Sequence, residues 1–362
     1  MKRVLVGMSG GVDSAIAAYL LQQEGYEVVA GFMKNYVSDS GNCTTYTDAE
    51  EAIKVSKFLG IKIISFDLQK EYNEKIIEYI YKGYQQGITP NPDVLCNSLI
   101  KFDVFLQKAM ELGFDYIATG HYARIVKTQK RKNDKTIKKS LSRLNASSFK
   151  LLRGVDHNKD QSYFLSGLNQ FQLSKSLFPV GMYTKPEIRT LAKKIGLPNA
   201  TRKDSQGLCF IGNIPIKEFL LKKLPKKEGN IINTLGKVVG KHEGAYFFTI
   251  GQRQGLCLPF KAYVIKTDVK KNTVVVGERE DKNLFEKTIC TTGRHRIEEK
   301  HKLPTKILAK IRYRQEPQEA TLKQDKNKNI IVVFKEKQRA IAPGQTIVAY
   351  KKDECIGSGI II

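Results

Sequence analysis

The glycine-rich stretch GMSGGVDSA, Gly7–Ala15, decides the fold prediction. The run Val4–Met8 that leads into it is apolar and β-rich, and Ser14–Glu24 carries apolar residues at helical spacing before Gly25 closes it. A glycine loop between a strand and a helix places backbone N–H groups and a helix N-terminus around an anion. The sequence therefore predicts a phosphate-binding loop at the first β–α junction.

The first 120 residues alternate between strand and helix patterns. Further strands are predicted at Val28–Met33, Ile61–Phe66 and Tyr116–Thr119, and helices at Asp48–Leu59, from Glu71 to about Gln86, and from the turn TPNPD to Leu112. This alternation predicts an α/β fold with a doubly wound parallel sheet, whose ligands bind beyond the carboxyl ends of the strands.

After about residue 230 the pattern changes to short strand-like runs separated by turn residues. These runs are GAYFFTIG, AYVIKT, TVVVGE, TKILAKIRYR, NIIVVFK and QTIVAY. Repeated short strands without helices predict β modules appended to the α/β domain. We expect an ATP-binding catalytic domain over residues 1–208, a small β-rich central domain over 209–280 and a C-terminal β-barrel-like domain over 281–362.

The loop residues narrow the phosphate chemistry. The stretch contains no lysine, which a Walker A loop requires, and no G-x-G-x-x-G, which a dinucleotide fingerprint requires. What remains is a pyrophosphate cradle with hydroxyls from Ser9 and Ser14 and with Asp13 as an oxygen ligand for Mg²⁺. The alternative is an ordinary glycine turn in which Asp13 or Ser14 caps the helix.

The charge balance points to a polyanionic partner. The chain has 61 Lys+Arg against 36 Asp+Glu, a formal net charge of +25, and nucleic acid is the commonest such partner. A lysine-rich proteome would also produce this excess. The lysine-rich stretch 127–150 reads as an exposed insertion. With no signal peptide or bilayer-spanning run, we expect a cytoplasmic protein that does not enter the membrane.

Two of the six scattered cysteines are candidates for chemistry, and their spacing does not suit a zinc site. Cys96, three residues after Asp93 at a predicted helix start, would have its thiolate favoured there, with Asp93 as a proton acceptor. Cys209 lies between Leu208 and Phe210 in a glycine-bounded stretch. Either cysteine, taken alone, also fits a buried structural role.

The hexapeptide SGGVDS resembles the PP-loop of the ATP-pyrophosphatase superfamily. Along nearly its whole length the chain is similar to the bacterial tRNA-specific 2-thiouridylases of that superfamily. The similarity is carried by GMSGGVDS, TPNPDVLCN, ATGHY, LLRGVDHNKDQSYFL, KDSQGLCFIG, TIGQRQGL, IRYR and APGQ. The resemblance implies ATP and Mg²⁺ as cofactors, wobble-uridine tRNAs for Lys, Glu and Gln as substrates, and a relay or desulfurase protein as persulfide donor. We expect a monomer.

The resemblance also assigns roles to residues. It implies ATP contacts at Gly7, Met8, Ser9, Gly10, Gly11, Val12, Asp13, Ser14, Met33 and Gly120. It implies target-base contacts at Asn91, Pro92 and Asp93, with Asp93 as acid/base, and tRNA contacts at His121, Lys159, Asp160, Gln161, Arg312, Tyr313 and Gln345. Cys209 would carry the persulfide and Cys96 would be its catalytic partner, so that a Cys96–Cys209 disulfide remains after turnover.

The implied reaction adenylates the C2 oxygen of uridine and then places sulfur on C2. Whether the persulfide itself or released sulfide attacks stays open at this point. Two other interpretations remain. One is a PP-loop enzyme with a nitrogen nucleophile, which would not need the cysteine pair. The other is a non-catalytic RNA-binding protein, which would leave the PP-loop without a use.

Overall fold

The computed structural model describes residues 1–37, 45–128, 148–204, 214–297, 303–326 and 329–362, without the side chains of 294–296. The stretch around Cys209, and most of the lysine-rich stretch 127–150, lie outside the described residues.

A five-stranded parallel sheet forms the N-terminal part, with strand order β3-β2-β1-β4-β7. Its strands are β1 Arg3–Gly7, β2 Glu27–Lys34, β3 Ile63–Asp67, β4 Tyr116–Ala118 and β7 Ser176–Leu177. The predicted doubly wound parallel sheet is confirmed. The inner strands are apolar on both faces because helices cover both faces, which is the pattern that parallel sheets require.

Two separate cores lie on the two faces of this sheet. Val4 and Val6 of β1 point into the core shared with α1 and α8, whereas Leu5 points into the core that contains Cys96 and Phe105. The helices of this part are α1 Val12–Gln23, α2 Thr45–Leu59, α3 Gln69–Tyr72, α4 Glu78–Gln85, α5 Pro92–Cys96, α6 Phe105–Glu111, α7 Gln170–Ser174 and α8 Lys185–Lys194. The alternation of strand residues thus sends neighbouring side chains to different cores.

Two helical stretches contain π-helical segments in place of uniform α-helix. Asn73–Ile77 joins α3 to α4, and Asn97–Val104 joins α5 to α6, so that the chain is helical from Pro92 to Glu111. The second stretch is the helix predicted to follow TPNPD. Its wider segment begins directly after Cys96, and π-segments of this kind are frequent at functional sites.

The central part is a four-stranded sheet of order β10-β11-β8-β9, preceded by α9 Ile216–Leu221. Its strands are β8 Gly229–Asn233, β9 Val238–His242, β10 Tyr263–Asp268 and β11 Thr273–Gly277. The prediction of a strand at GAYFFTIG was wrong: Ala245–Phe247 is a short 3-10 helix. Tyr246, Phe247 and Phe248 are all buried, and three consecutive buried aromatic side chains do not follow the two-sided alternation of a strand.

The C-terminal part is a six-stranded barrel of order β12-β15-β14-β13-β16-β17, closed by pairing of β12 with β17. Its strands are β12 Phe285–Arg296, β13 Thr305–Lys310, β14 Gln318–Gln324, β15 Ile330–Arg339, β16 Thr346–Lys351 and β17 Glu354–Ile361. A hairpin from the N-terminal part, β5 Ala123–Thr128 and β6 Ser148–Arg153, extends this sheet by pairing β6 with β17.

The predicted barrel-like domain is confirmed as a closed barrel. The boundaries at 208/209 and 280/281 stay predictions. No helix in the described part of the chain combines the length and apolar character needed to cross a bilayer.

Candidate active site

The loop between β1 and α1 is fixed by contacts from distant parts of the chain. Gly10 has φ +73°, and a Cβ there would lie 2.6 Å from both Asp48 O and Arg202 Nη1. The carbonyl of Gly10 accepts hydrogen bonds from Asn199 Nδ2 at 2.7 Å and from Arg202 Nη1 at 2.9 Å. Glycine is required here because of both the dihedral angle and the close approach.

The start of α1 is left open to an anion. Its N-cap is Gly11, which has no side-chain cap, so the alternative that Asp13 or Ser14 caps the helix was wrong. Ser14 Oγ instead donates to Gly11 O at 3.0 Å and accepts from Ser9 N at 3.3 Å. The first N–H groups of a helix have no partner within it. A glycine N-cap with a serine hydroxyl on each side therefore suits a phosphate.

Asp13 of this loop forms a partly buried ion pair that the sequence did not predict. Lys185 Nζ donates to Asp13 Oδ1 at 2.7 Å and to Oδ2 at 2.8 Å, and Tyr122 Oη donates to Oδ1 at 2.8 Å. The side chain of Lys185 is only 11% exposed. The loop that lacks a lysine in sequence therefore has one in space, 172 positions further along the chain.

The ion pair extends to Asp204. Lys185 Nζ lies 2.7 Å from Asp204 Oδ1, Arg189 Nη2 lies 2.8 Å from the same oxygen, and Lys159 Nζ lies 2.7 Å from Oδ2. Partial burial raises the pKa of Asp204, but the hydrogen bonds from Lys159 and Lys185 outweigh it and lower the pKa to about 2. Asp204 is therefore ionised at neutral pH.

Gly120 and Met33, both predicted ATP contacts, adjoin the loop. A Cβ on Gly120 would lie 2.6 Å from Asp13 C and from Ser14 N, so the backbone after β4 touches the first turn of α1. Met33 Cε would lie 3.2 Å from a Cβ on Gly7. The side chains of two other predicted contacts, Met8 and Val12, are buried in the core. Their assignment as ATP contacts stays a prediction.

His121 is buried, although the resemblance implied a tRNA contact. Its Nδ1 shares a 2.7 Å hydrogen bond with Thr119 Oγ1, and its ring packs against Phe102 and Phe178. Burial, and secondarily the charge of Lys101, hold the pKa of His121 well below its usual value, so the ring is neutral at pH 7. A tRNA contact through this side chain requires the surrounding aromatic residues to move.

Asn91 opens the helix that carries Asp93 and Cys96. Its Oδ1 accepts from Val94 N at 3.4 Å as the N-cap, and its Nδ2 donates to Tyr163 Oη at 3.4 Å. Pro92 is at the first helical position, which suits its fixed φ. Cys96 is the last residue of α5 and is fully buried. The thiol thus lies a turn beyond the N-terminus, whose N–H groups are nearer to Asp93.

All three parts of the chain meet at the segment just before Asn91. Thr89 N donates to Pro343 O at 2.8 Å, and Gln345 Nε2 donates to Thr89 O at 3.2 Å. Pro343 and Gln345 both belong to the barrel part of the chain. The Thr89 hydroxyl shares a 3.0 Å hydrogen bond with the Thr249 hydroxyl of the central part. Gln345, predicted to touch tRNA, therefore also positions the predicted target-base residues.

The other predicted tRNA contacts differ in exposure. Lys159 is half-exposed, Arg312 is exposed, and the Tyr313 hydroxyl lies 3.5 Å from Lys159 O, so these three lie together. The backbone N–H of Gln161 donates to Tyr122 O at 2.8 Å, and Gln161 Oε1 accepts from Tyr122 N at 3.0 Å. Asp160 is buried and accepts from three donors, namely Arg153 Nε and the N–H groups of Gly154 and Ser162. These hydrogen bonds give Asp160 a structural role, and its contact with tRNA stays a prediction.

The predicted cysteine pair is described only in part. Cys96 is a thiol and not half of a disulfide, and Cys209 lies outside the described residues. Within the described ranges no group of three or more His, Cys, Asp or Glu side chains is arranged to hold a metal. A single carboxylate such as Asp13 fits Mg²⁺ in the way this ion usually binds, with one or two carboxylates and the phosphates of the substrate.

Lys185, Tyr122, Asn199 and Arg202 are the site residues that sequence reasoning missed. Among these four, Tyr122 is the last residue of the quoted motif ATGHY and the other three lie outside the quoted motifs, and each reaches the loop from another segment. One local signal was available. TKPE, Thr184–Glu187, is a capping box that marks the start of α8, and in the structure both of its hydrogen bonds are present. It predicts a helix start at Lys185 but not what the lysine contacts.

Three domain-family models match successive parts of the chain. They are the tRNA methyl transferase HUP domain at residues 2–213, the tRNA methyl transferase PRC-barrel domain at 217–278 and the aminomethyltransferase beta-barrel domain at 287–361. A solved structure, the U34-tRNA thiolase NcsA from Methanococcus maripaludis, is 18% identical with a TM-score of 0.33 and covers 54% of this chain and 57% of its own. That likeness is too slight to support an argument.

Curated relatives match along the whole chain. The tRNA-specific 2-thiouridylase MnmA of Flavobacterium johnsoniae is 44% identical over 408 residues, covering 100% of both chains. The enzyme of the same name from Lysinibacillus sphaericus is 44% identical over 368 residues, covering 99% of this chain and 94% of its own. With this identity over full length, the chain belongs to the family of tRNA-specific 2-thiouridylases.

Proposed function

We propose that this chain is a tRNA-uridine 2-sulfurtransferase that converts wobble uridine of tRNA to 2-thiouridine, with ATP cleaved to AMP and pyrophosphate. The observation that carries the proposal is the open, glycine-capped start of α1, since it suits a polyphosphate in a chain whose full-length relatives bear the name 2-thiouridylase. The net charge of +25 suits a tRNA partner and implies a salt-sensitive affinity.

The first step is adenylation. The C2 oxygen of uridine attacks the α-phosphate of ATP, the bond to the bridging oxygen breaks, and pyrophosphate leaves with the electron pair. A poor leaving group thereby becomes AMP. In this proposal Gly10, Gly11, Ser9 and Ser14 hold the phosphates. Asp13 is the protein's carboxylate for Mg²⁺, which supplies charge neutralisation when bound.

The second step is sulfur transfer. The terminal sulfur of a persulfide on Cys209 attacks C2, and AMP leaves. The Cys96 thiolate then attacks Cys209 Sγ, which releases 2-thiouridine and leaves a Cys96–Cys209 disulfide for a thiol reductant. Cys96 is fully buried, which keeps its thiol away from bulk solvent. Asn91, Pro92 and Asp93 receive the base, which must first leave its stack.

The partners follow from the same proposal. A relay protein or cysteine desulfurase supplies the persulfide, tRNAs for Lys, Glu and Gln are the substrates, and the chain acts as a monomer. Lys159, Arg312, Tyr313 and Gln345 contact the tRNA backbone.

The test is nucleoside mass spectrometry of tRNA after incubation with the protein, ATP, Mg²⁺ and a persulfide donor. We expect 2-thiouridine with the unmodified protein and with Cys257→Ser, whose cysteine is exposed, and none with Cys96→Ser or Cys209→Ser. Thiolation by both catalytic variants at the unmodified rate would overturn the mechanism. A product formed with ammonia and no sulfur source would favour the nitrogen-nucleophile alternative.

A further inference from the structure

Lys185 is held rigidly beside the PP-loop. It is the first residue of α8, and Pro186 and the Thr184–Glu187 capping box fix its backbone. Its own N–H donates to Asp156 Oδ2 at 2.9 Å. The side chain is nearly buried, so its ammonium is confined to the space between Asp13 and Asp204. A lysine fixed at its base and charged at its tip is pre-organised for binding.

Asp204 has more cationic partners than its single charge needs. The cluster consists of the carboxylates of Asp13 and Asp204 and the cations of Lys159, Lys185 and Arg189. A third carboxylate, Asp156, lies beside them and accepts from the backbone N–H of Lys185, so three cations face three carboxylates. Asp204 keeps Lys159 and Arg189 as partners when Lys185 is removed. The ammonium of Lys185 is therefore not needed to neutralise Asp204.

We propose that Lys185 supplies the cation that the PP-loop sequence lacks and that it contacts the departing pyrophosphate of bound ATP. This inference rests on the proposed function. In the free protein the Lys185 ammonium is paired with the Asp13 carboxylate, to which it donates at 2.7 and 2.8 Å. When polyphosphate arrives, the ammonium would pair with the phosphate oxygens, and the Asp13 carboxylate would be free to hold Mg²⁺, which would supply charge neutralisation. Negative charge that develops on pyrophosphate as the bond breaks is then stabilised by a pre-oriented positive charge.

The alternative is that Lys185 only holds Asp13 in place. The two roles differ in which ligands they affect. A contact with pyrophosphate strengthens binding of ATP and of free pyrophosphate and leaves AMP unaffected. A purely structural role keeps the shape of the whole loop and therefore affects all three ligands in parallel.

Isothermal titration calorimetry of the full chain with ATP, pyrophosphate and AMP separates these roles. We expect Lys185→Met to weaken ATP and pyrophosphate binding at least tenfold and AMP binding less than twofold. We expect Lys185→Arg, which keeps the charge, to recover most of the loss. Lys194→Met, at the exposed end of the same helix, is the matched control and should bind all three ligands normally. If Lys185→Met does not fold, Lys185→Gln carries the same test.

Parallel losses for ATP, pyrophosphate and AMP, or no loss at all, would overturn the inference. Failure of the proposed function has a different signature, because the unmodified protein would then bind no ATP or would bind ATP without thiolating tRNA. If the unmodified protein binds ATP and thiolates tRNA while Lys185→Met binds pyrophosphate equally well, only the role given to Lys185 fails.

Discussion

Replacing Gly120 with alanine is expected to damage both folding and nucleotide binding. The added Cβ would lie 2.6 Å from Asp13 C and Ser14 N, which are backbone atoms in the first turn of α1. A flexible side chain can rotate away from such a clash, but a helix start cannot. The loop must therefore retreat by about 1 Å to reach an ordinary contact distance.

The size of the effect follows from that displacement. Overpacking of this kind costs about 1–3 kcal/mol of unfolding free energy. A displacement of about 1 Å in a positioning group reduces the rate on the order of 10²-fold. The displaced atoms belong to the glycine loop that is proposed to bind phosphate. Because a loss of about 1.4 kcal/mol in binding free energy lowers affinity about tenfold, we expect ATP affinity to fall about tenfold or more.

Urea unfolding and ATP calorimetry measure the two effects separately. Gly7→Ala is the matched control for the unfolding measurement, because the nearest atom to its new Cβ is the flexible end of Met33 at 3.2 Å. We expect that control to lose less than about 1 kcal/mol. An alanine at Gly120 that leaves both the urea midpoint and the ATP affinity unchanged would refute the close contact between β4 and the loop.

Four further predictions concern other parts of the molecule. In native protein, a thiol reagent should label exposed Cys257 and Cys290 before buried Cys96 and Cys355, as read by peptide mass spectrometry; early labelling of Cys96 would contradict its burial. The pKa of Asp204 is lowered from its ordinary value of 3.8 to about 2 in the folded protein, so the ionised carboxylate stabilises the fold above pH 3.8 and this stabilisation is lost as the pH falls toward 2. Asp204→Asn should therefore destabilise the protein less at pH 3 than at pH 5 in urea titrations; an equal loss at both pH values would contradict this. Both amide atoms of Asn35 are buried without a partner among the described residues, so Asn35→Leu should raise the unfolding free energy of the free protein by about 1–3 kcal/mol, and a lower urea midpoint would count against it. For tRNA, filter binding should show affinity falling on the order of 10³-fold between 50 and 200 mM salt if about six phosphates are contacted, and an affinity insensitive to salt would argue against backbone contacts.

The fold of the N-terminal part was predictable because its signals are local. Apolar strands buried on both faces, and helices closed by Gly25 and Gly60, set the elements within a few residues of their observed bounds. The stretch GAYFFTIG failed because residue type alone does not separate a β-rich run from a turn of buried aromatics. The pairing of β6 with β17 joins residues about 200 positions apart, and periodicity carries no information on such pairing.

The candidate site was predictable to a smaller extent. The composition of the glycine loop predicts an anion site, because few residues other than glycine tolerate the positive φ and the close contacts at Gly10. The ion pair between Asp13 and Lys185 has no sequence signature, since each residue alone resembles an ordinary surface charge. The burial of Cys96 and His121 likewise depends on which elements cover them, and tertiary packing decides that.

The hydrogen bonds that hold Thr89 to the barrel and to the central part have a consequence for truncating this protein. A fragment ending before the barrel would retain the whole glycine loop yet lose Pro343 and Gln345, which hold the backbone that leads into Asn91. It would also free the edge of the β5–β6 hairpin that now pairs with β17, and exposed edges invite aggregation. The glycine loop and the proposed base-binding segment at Asn91 are therefore not separable modules, and a minimal enzyme made by truncation is expected to retain neither solubility nor target selection.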